Sequence, residues 1–349
     1  MPVFTATELQ QIGFHVFRAL GASEEEARIV SDHLVMGNLT GHDSHGVMLI
    51  LNYVETIRKG ELKPGAPIEV VRETPSTALI NGNWGFGQVV AEEAMRLAIA
   101  KARSQAISAV GIQNIYHVGR LADYPLMAVK EGMIGIMMAN GCGGAQSTAP
   151  WGGIARRFAT NPLCIAVPSG LEGPIFLDMA TSVAAVGKLY IKKFRHEKIP
   201  EGWIIDAEGN PATDPQAFFG PPEGAVLPLG GVAGHKGYGL AFLVDVLAGI
   251  LTGAGHSREN MTRWGNGTFI IVINTEVFRP LEEFRVATQD LTRYIKSSPL
   301  ASGFHEILYP GEIEWRREQQ GRQDGIFVED ETWKALASLI RELKIKSRL

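Results

Sequence analysis

The run LCIAVPSGLEGPIFLD, residues 163–178, decides the fold class. It holds two short apolar segments, Leu163–Val167 and Ile175–Asp178, on either side of a stretch rich in Pro, Ser and Gly. Such segments bounded by turn residues read as strands. The link between them is too short for a helical crossover, so the two strands must run antiparallel. Outward from here the same texture continues. Strand-like runs occur at Ile68–Val71, Thr77–Ile80, Ile107–Gln113, Met133–Ala139 and Phe269–Ile273, with helical stretches at Gln88–Arg103 and Gly119–Lys130. Alternation of strand and helix predicts an α/β domain, and the short links predict a mixed, largely antiparallel sheet.

Both ends of the chain are helical. Thr5 with Glu8 is a capping box opening a helix that Gly21 closes, and Ser23 with Glu26 opens a second that runs to about Leu39. A third helix is expected over Val47–Arg58, and others over Leu281–Lys296 and Asp330–Lys344. The breakers Lys63-Pro64-Gly65 mark a boundary. The expected organisation is a helical lobe from residues 1–73 with 281–349, around a central domain of 74–280. The Pro-, Gly- and Asp-rich stretch Pro200–Pro228 is expected to be a surface excursion.

Composition narrows the function. The 349 residues carry a net charge of -4, with 45% hydrophobic and 20% charged residues, as in ordinary globular proteins. No general basic field favours nucleic acid. Cys142 and Cys164 make no disulfide framework. The longest apolar stretch, Gly239–Leu251, carries Asp245 and is too short to span a bilayer; it reads as a buried helix. No membrane association and a cytoplasmic location are expected, since the first residues lack a signal-peptide pattern.

Several short motifs could carry chemistry. His42-Asp43-Ser44-His45-Gly46 concentrates two imidazoles, a carboxylate and a hydroxyl between two helices. Imidazole titrates near neutrality and can move a proton either way. Tyr116-His117-Val118-Gly119-Arg120 follows a strand and precedes a helix, a place where ligands often sit. Asn140-Gly141, Thr160-Asn161-Pro162 and Asp178-Met179-Ala180-Thr181-Ser182 lie at other strand ends, and Gly234-His235-Lys236-Gly237 precedes the apolar helix. Each taken singly also reads as plain turn or capping chemistry. Neither a G-x-G-x-x-G turn nor a P-loop occurs, so a dinucleotide would not be held in the Rossmann manner. His42 and His45 alone do not make a metal site, and none is expected.

Taken together, HDSHGV (42–47), HVGR (117–120), TNP (160–162), DMATS (178–182), GK (187–188), GHKGYGL (234–240) and PGE (310–312) match one pattern. In this order and spacing the chain resembles the malate/L-lactate dehydrogenase family that lacks a Rossmann domain. That family includes ureidoglycolate, sulfolactate and diketogulonate dehydrogenases and cyclic-imine carboxylate reductases. The Thr40–Gly46 run places it nearest the 2-hydroxycarboxylate dehydrogenase branch. The resemblance implies a homodimer with a non-Rossmann NAD(P)-binding domain. It implies hydride transfer between a nicotinamide and the C2 of a 2-hydroxy or 2-oxo acid, with NAD favoured slightly over NADP. Ser44 and His45 fall on a proton-relay pair, and His117 on a histidine assigned as proton acceptor in some members. His117, Val118, Gly119, Arg120, Asn140, Asp178, Met179, Ala180, Lys236 and the stretch Leu308, Tyr309, Pro310, Gly311, Glu312 fall on cofactor-contacting positions. Thr160 falls on a substrate contact.

Two positions depart from the family pattern. Many members carry an arginine where this chain has Leu49, so either the substrate carboxylate is held elsewhere, by Arg120, Arg156 or backbone amides, or the preferred substrate is bulkier and more apolar, such as an aryl or branched 2-oxo acid. The imine-reducing members carry an acidic residue where this chain has Lys188, which argues against a cyclic-imine substrate. Rival readings are such a reductase, a metal-assisted hydrolase built on His42 and His45, and a binding module without turnover.

Overall fold

Both capping boxes form. Thr5 and Ser23 accept from the backbone of Glu8 and Glu26, whose carboxylates reach back to the cap N–H groups. They start α1 (Ala6–Ala19) and α2 (Glu24–Leu39), which follow a short strand β1 (Val3–Phe4). The computed structural model describes residues 2–144, 146–259 and 263–345. After a single turn of 3₁₀ helix at Asp43–His45, α3 (Leu49–Arg58) completes the N-terminal helices. Leu9, Val16, Phe17, Leu34, Ile50 and Tyr53 share one core with Leu336 and Leu339 from the far end of the chain. At about 1.5–3 kcal/mol for each large apolar side chain buried, that core joins the two termini into one lobe.

The main sheet follows: β2 (Glu69–Glu73), β3 (Thr77–Asn81), α4 (Gly87–Gln105), β4 (Ile107–Ile115), α5 (Pro125–Lys130), β5 (Met133–Cys142), β6 (Leu163–Val167) and β7 (Ile175–Met179). Then come α6 (Val186–Phe194), β8 (Ile204–Ile205), β9 (Pro211–Ala212), α7 (Pro215–Phe219), β10 (Ala225–Val226), α8 (His235–Val244) and β11 (Gly265–Asn274). The chain ends with α9 (Leu281–Lys296), α10 (Glu312–Asp324), β12 (Ile326–Phe327) and α11 (Asp330–Glu342). Seven strands make one sheet in the order β2-β3-β4-β11-β5-β6-β7. Only β3 and β4, joined through α4, run parallel; every other neighbouring pair is antiparallel. The β6–β7 hairpin pairs Leu163 with Met179 and Val167 with Ile175, as the short link between them requires. In the middle, Val110, Ile112, Ile270 and Val272 are fully buried. Residues from α4 and α5, such as Ala94, Met95 and Ala128, pack into the same core.

Three local expectations need correction. The helix expected over Gly119–Lys130 is broken: residues 116–120 are irregular, Leu121–Asp123 is a 3₁₀ turn, and α5 starts only at Pro125. Proline lacks the N–H that a continuous helix needs there. The stretch Pro200–Pro228 is not a plain excursion. β8, β9 and β10 form a small antiparallel sheet, and Ile204, Phe218 and Val226 share a core with Leu189 of α6. Strands of two residues carry too little periodicity to be read in advance. The helix expected to be buried over Gly239–Leu251 is buried on one side only. Ala241, Val244 and Ala248 face the protein, whereas Phe242 is 51% and Leu243 57% exposed. Among the described residues, no helix is long and apolar enough to cross a membrane.

Candidate active site

The pentad is tied down from below by Asn38, in the last turn of α2. Its amide donates to Asp43 (2.7 Å) and its carbonyl oxygen accepts from the backbone N–H of Val47 (2.8 Å). Gly187, at the start of α6, lies directly against the pentad: a Cβ there would stand 2.5 Å from the Cβ of Ser44. The loop after β4 is held in a comparable way. Val118 N–H donates to the side chain of Asn266 on β11 (3.0 Å). A Cβ on Gly87 would strike the carbonyl oxygens of Tyr116 and His117, at 2.5 and 2.4 Å. Glycine at 87 is therefore what lets α4 approach this loop.

These supports bring His45 and His117 together. Their rings stack with centroids 5.5 Å apart and planes at 26°. Trp264 lies 5.7 Å from His117 on a tilted plane. Each imidazole has its Nδ1 engaged: His45 with Ser44 Oγ at 3.1 Å, His117 with Tyr53 Oη at 2.8 Å. Gln88 Nε2 in turn donates to Tyr53 Oη at 2.7 Å. Among the described residues neither Nε2 has a hydrogen-bond partner. Burial holds both rings neutral. It pushes His45 down to about 4, helped by the charge of Arg120. It pushes His117 to about 3, helped by His45.

Arg120 supplies the buried cation beside this pair. One guanidinium nitrogen meets Asp123 at 2.5 Å, the group lies 5.2 Å from the Phe176 ring centre, and its Nε is buried without a partner. Asp123 also takes His33 Nδ1 at 3.1 Å. Burial drives the Asp178 carboxyl up to about 6 against the pull of Arg120, and that carboxyl accepts the N–H of Ala122 at 2.8 Å. A cavity of about 560 Å³ is lined by His33, Arg120, Asp123, Phe176, Glu314 and Trp315; neither His45 nor His117 lines it. Among the described residues, no group of three or more His, Cys, Asp or Glu side chains is placed to hold a metal ion.

The other expected residues fall into two groups. Met179 and Ala180 are half-buried at the end of β7, Thr160 is half-buried, and Lys236 is exposed on the first turn of α8. Leu308 and Pro310 are exposed. In the second group the side chains are already spent. Asn140 is fully buried, donating to Asp245 (2.7 Å) and to the carbonyl of Gly255 (2.9 Å) while accepting from the N–H of Gly267 (3.0 Å). Glu312 is buried between Lys296 and Arg316, each at 2.6 Å, and accepts the N–H of Tyr309. Gly311 packs against Phe176, whose N–H donates to the carbonyl of Pro310. The side chains of Asn140 and Glu312 hold these loops in shape. Leu49 is half-buried at the start of α3, and Lys188 is exposed on α6 with its charge near His42. Arg156 is committed to the carbonyls of Gly224 and Phe218 and to Glu223. That corrects its place among the possible carboxylate clamps.

Tyr53, Gln88, Asp123 and Asn38 were not legible as site residues. Tyr53 and Gln88 lie inside helices, on faces that read as core, and only the third dimension brings them to His117.

Fold and site together define a dehydrogenase, an oxidoreductase whose sheet is not a Rossmann sheet. A family model described as malate/L-lactate dehydrogenase matches residues 4–337, and the chain belongs to that family. It is 42% identical over 313 residues to the malate dehydrogenase of Pyrococcus abyssi (strain GE5 / Orsay), covering 87% of this chain and 85% of that one. It is 33% identical over 345 residues to hydroxycarboxylate dehydrogenase B of Escherichia coli (strain K12), with 97% and 94% covered. Among solved structures, the malate dehydrogenase of Entamoeba histolytica superposes with a TM-score of 0.95 at 30% identity, covering 100% of this chain and 99% of that chain.

Proposed function

We propose that this protein interconverts a 2-hydroxy acid and the corresponding 2-oxo acid with NAD(H) or NADP(H), NAD(H) first. The observation that carries the reading is the stacked His45–His117 pair beside buried Arg120, with both Nδ1 atoms engaged and both Nε2 atoms unused. The residues present suit a dinucleotide. The loop of His117, Val118, Gly119 and Arg120, the half-buried Asp178–Ala180 corner, exposed Lys236 and the Leu308–Gly311 loop offer backbone groups and cations at strand and helix ends. Arg120 Nε, buried without a partner, is a donor that a bound oxygen would satisfy. Asn140 and Glu312 contribute by holding the β5 end and the Leu308–Gly311 loop in shape.

A nicotinamide bound there would supply the hydride acceptor or donor for the substrate's C2. His45 handles the proton: in oxidation its Nε2 accepts the hydroxyl proton of the substrate while Nδ1–H donates to Ser44 Oγ. His117 is a second polar contact at the substrate oxygen. Of the two arginines considered for the carboxylate, Arg120 is the one whose guanidinium is not exhausted by protein carbonyls. Leu49, half-buried against the helical core where many members of the family carry an arginine, favours a bulkier 2-oxo acid, and Thr160 offers a further substrate contact. The chain works as a homodimer.

Consumption of NADH and NADPH against a panel of 2-oxo acids and cyclic imines tests this reading. Turnover with the oxo acids, and tighter binding of small ones by a Leu49→Arg variant, is the expected result. Turnover confined to cyclic imines, or absent with every oxo acid, sinks it.

A further inference from the structure

Gln88 and Tyr53 belong to different helices and meet at the back of His117. Tyr53 is fully buried between Phe17, Phe86 and Tyr116, at ring distances of 6.2, 6.5 and 5.4 Å, so its hydroxyl has no freedom to seek other partners. Gln88 is also fully buried. A phenol oxygen carries one proton. If Gln88 donates to it, as the 2.7 Å contact with Nε2 has it, that proton is free for His117 Nδ1, 2.8 Å away. The opposite amide orientation would leave both N–H groups of Gln88 where Oε1 now lies, a buried position with no hydrogen-bond partner. One unused carbonyl costs less than two orphaned donors, so the direction from Gln88 to Tyr53 to His117 is the favoured one.

We infer that Gln88 and Tyr53 are positioning residues that hold His117 as the Nε2–H tautomer and so give the substrate oxygen a fixed hydrogen-bond donor. The inference rests on the reaction proposed above. It divides the work between the two imidazoles. In oxidation the hydroxyl proton would pass to His45 Nε2, with a bound nicotinamide supplying the acceptor for the hydride from C2. His117 keeps its own proton throughout and donates to the oxygen as it becomes a carbonyl. Trp264 against the His117 ring, and the close packing of Gly87 behind its backbone, keep the donor aimed.

Nitrogen NMR of histidine-labelled protein reads the tautomer directly, with a His117→Gln sample identifying the resonances. The resting wild-type enzyme is expected to carry the His117 proton on Nε2, with Nδ1 bare. Gln88→Glu places an acceptor behind Tyr53 and is expected to reverse the relay, moving the proton to Nδ1. Tyr53→Phe removes one hydroxyl from an otherwise intact core and is expected to leave a mixture of tautomers. In both variants kcat should fall by roughly tenfold or more while KM for the oxo acid stays within about threefold, the pattern of a contact strengthened in the transition state. A wild-type His117 protonated on Nδ1 overturns the inference, as does a Tyr53→Phe enzyme with unchanged tautomer and kcat. Because the spectrum is recorded without substrate, its result is separable from the proposed reaction. The expected tautomer in a chain that reduces no oxo acid upholds the relay and sinks the reaction.

Discussion

At the scale of single residues, the proposed reaction divides the work between two imidazoles that local chemistry alone does not distinguish. Both are partly buried and held neutral, and both have Nδ1 engaged; they differ in the partner. In the proposed reaction serine leaves His45 able to take and return a proton, whereas the tyrosine–glutamine pair is expected to commit His117. Turnover of His45→Gln is therefore expected to drop by roughly 10²–10⁴-fold, the range for loss of a general acid–base, with a smaller drop for His117→Gln. Near-normal turnover in His45→Gln alongside a dead His117→Gln would reverse the assignment. The pH profile has a worked-out sign. Oxidation needs neutral His45, so its kcat/KM should hold above about pH 5 and fall as the pH drops through about 4, while reduction should gain toward acid. Ser44, His45 and His117 could be singled out as candidates in the sequence because residue type in short, ordered motifs carries the chemistry proposed for them. Asn140 and Glu312 were expected at cofactor contacts, and nothing local in the sequence reveals that Asp245 and Lys296 engage their side chains.

Between elements, the cross-brace of consequence is His33. It rises from α2 to meet Asp123 on the 3₁₀ turn at 3.1 Å and Glu92 on α4 at 3.7 Å. Burial works against its charge, but the two carboxylates outweigh burial and lift it to about 9. The folded-state value lies above the unfolded one, near 6.5. The brace is therefore at full strength below about pH 6.5 and is lost as the pH rises through about 9. Urea midpoints measured at pH 6.5, 8 and 10 should fall across the series in the wild type. In His33→Gln they should start lower and change less; an equally steep decline in the variant would assign the effect to other groups. Helix starts were readable at this scale, since a capping box needs only residues three apart. The break before α5 and the miniature sheet β8–β9–β10 were not, because each depends on one proline or two-residue strands.

For the whole molecule, an apolar surface remains to be covered. Phe242, Leu243 and Leu251 stand 51%, 57% and 60% exposed along and just beyond α8, and Tyr294 on α9 is 78% exposed. Single exposed apolar residues are ordinary, but Phe242 and Leu243, side by side on α8, are where a homodimer is expected to form. Sedimentation of the intact protein is expected to give a homodimer, and Phe242→Glu with Leu243→Glu a monomer. A wild-type chain that sediments as a monomer at micromolar concentration would refute this assembly. The sequence by itself determined that β6 and β7 pair antiparallel, where the capped helices α1 and α2 begin, and which residue types could move a proton, because each of these follows from spacing within a few residues. Only the tertiary structure decided that β11 inserts between β4 and β5, that Arg156 is spent while Arg120 keeps an open donor, and that Gln88 and Tyr53 stand behind His117. The reason is physical: periodicity reports which side of an element is buried, whereas a polar group's partner is set by distances between residues far apart in the chain.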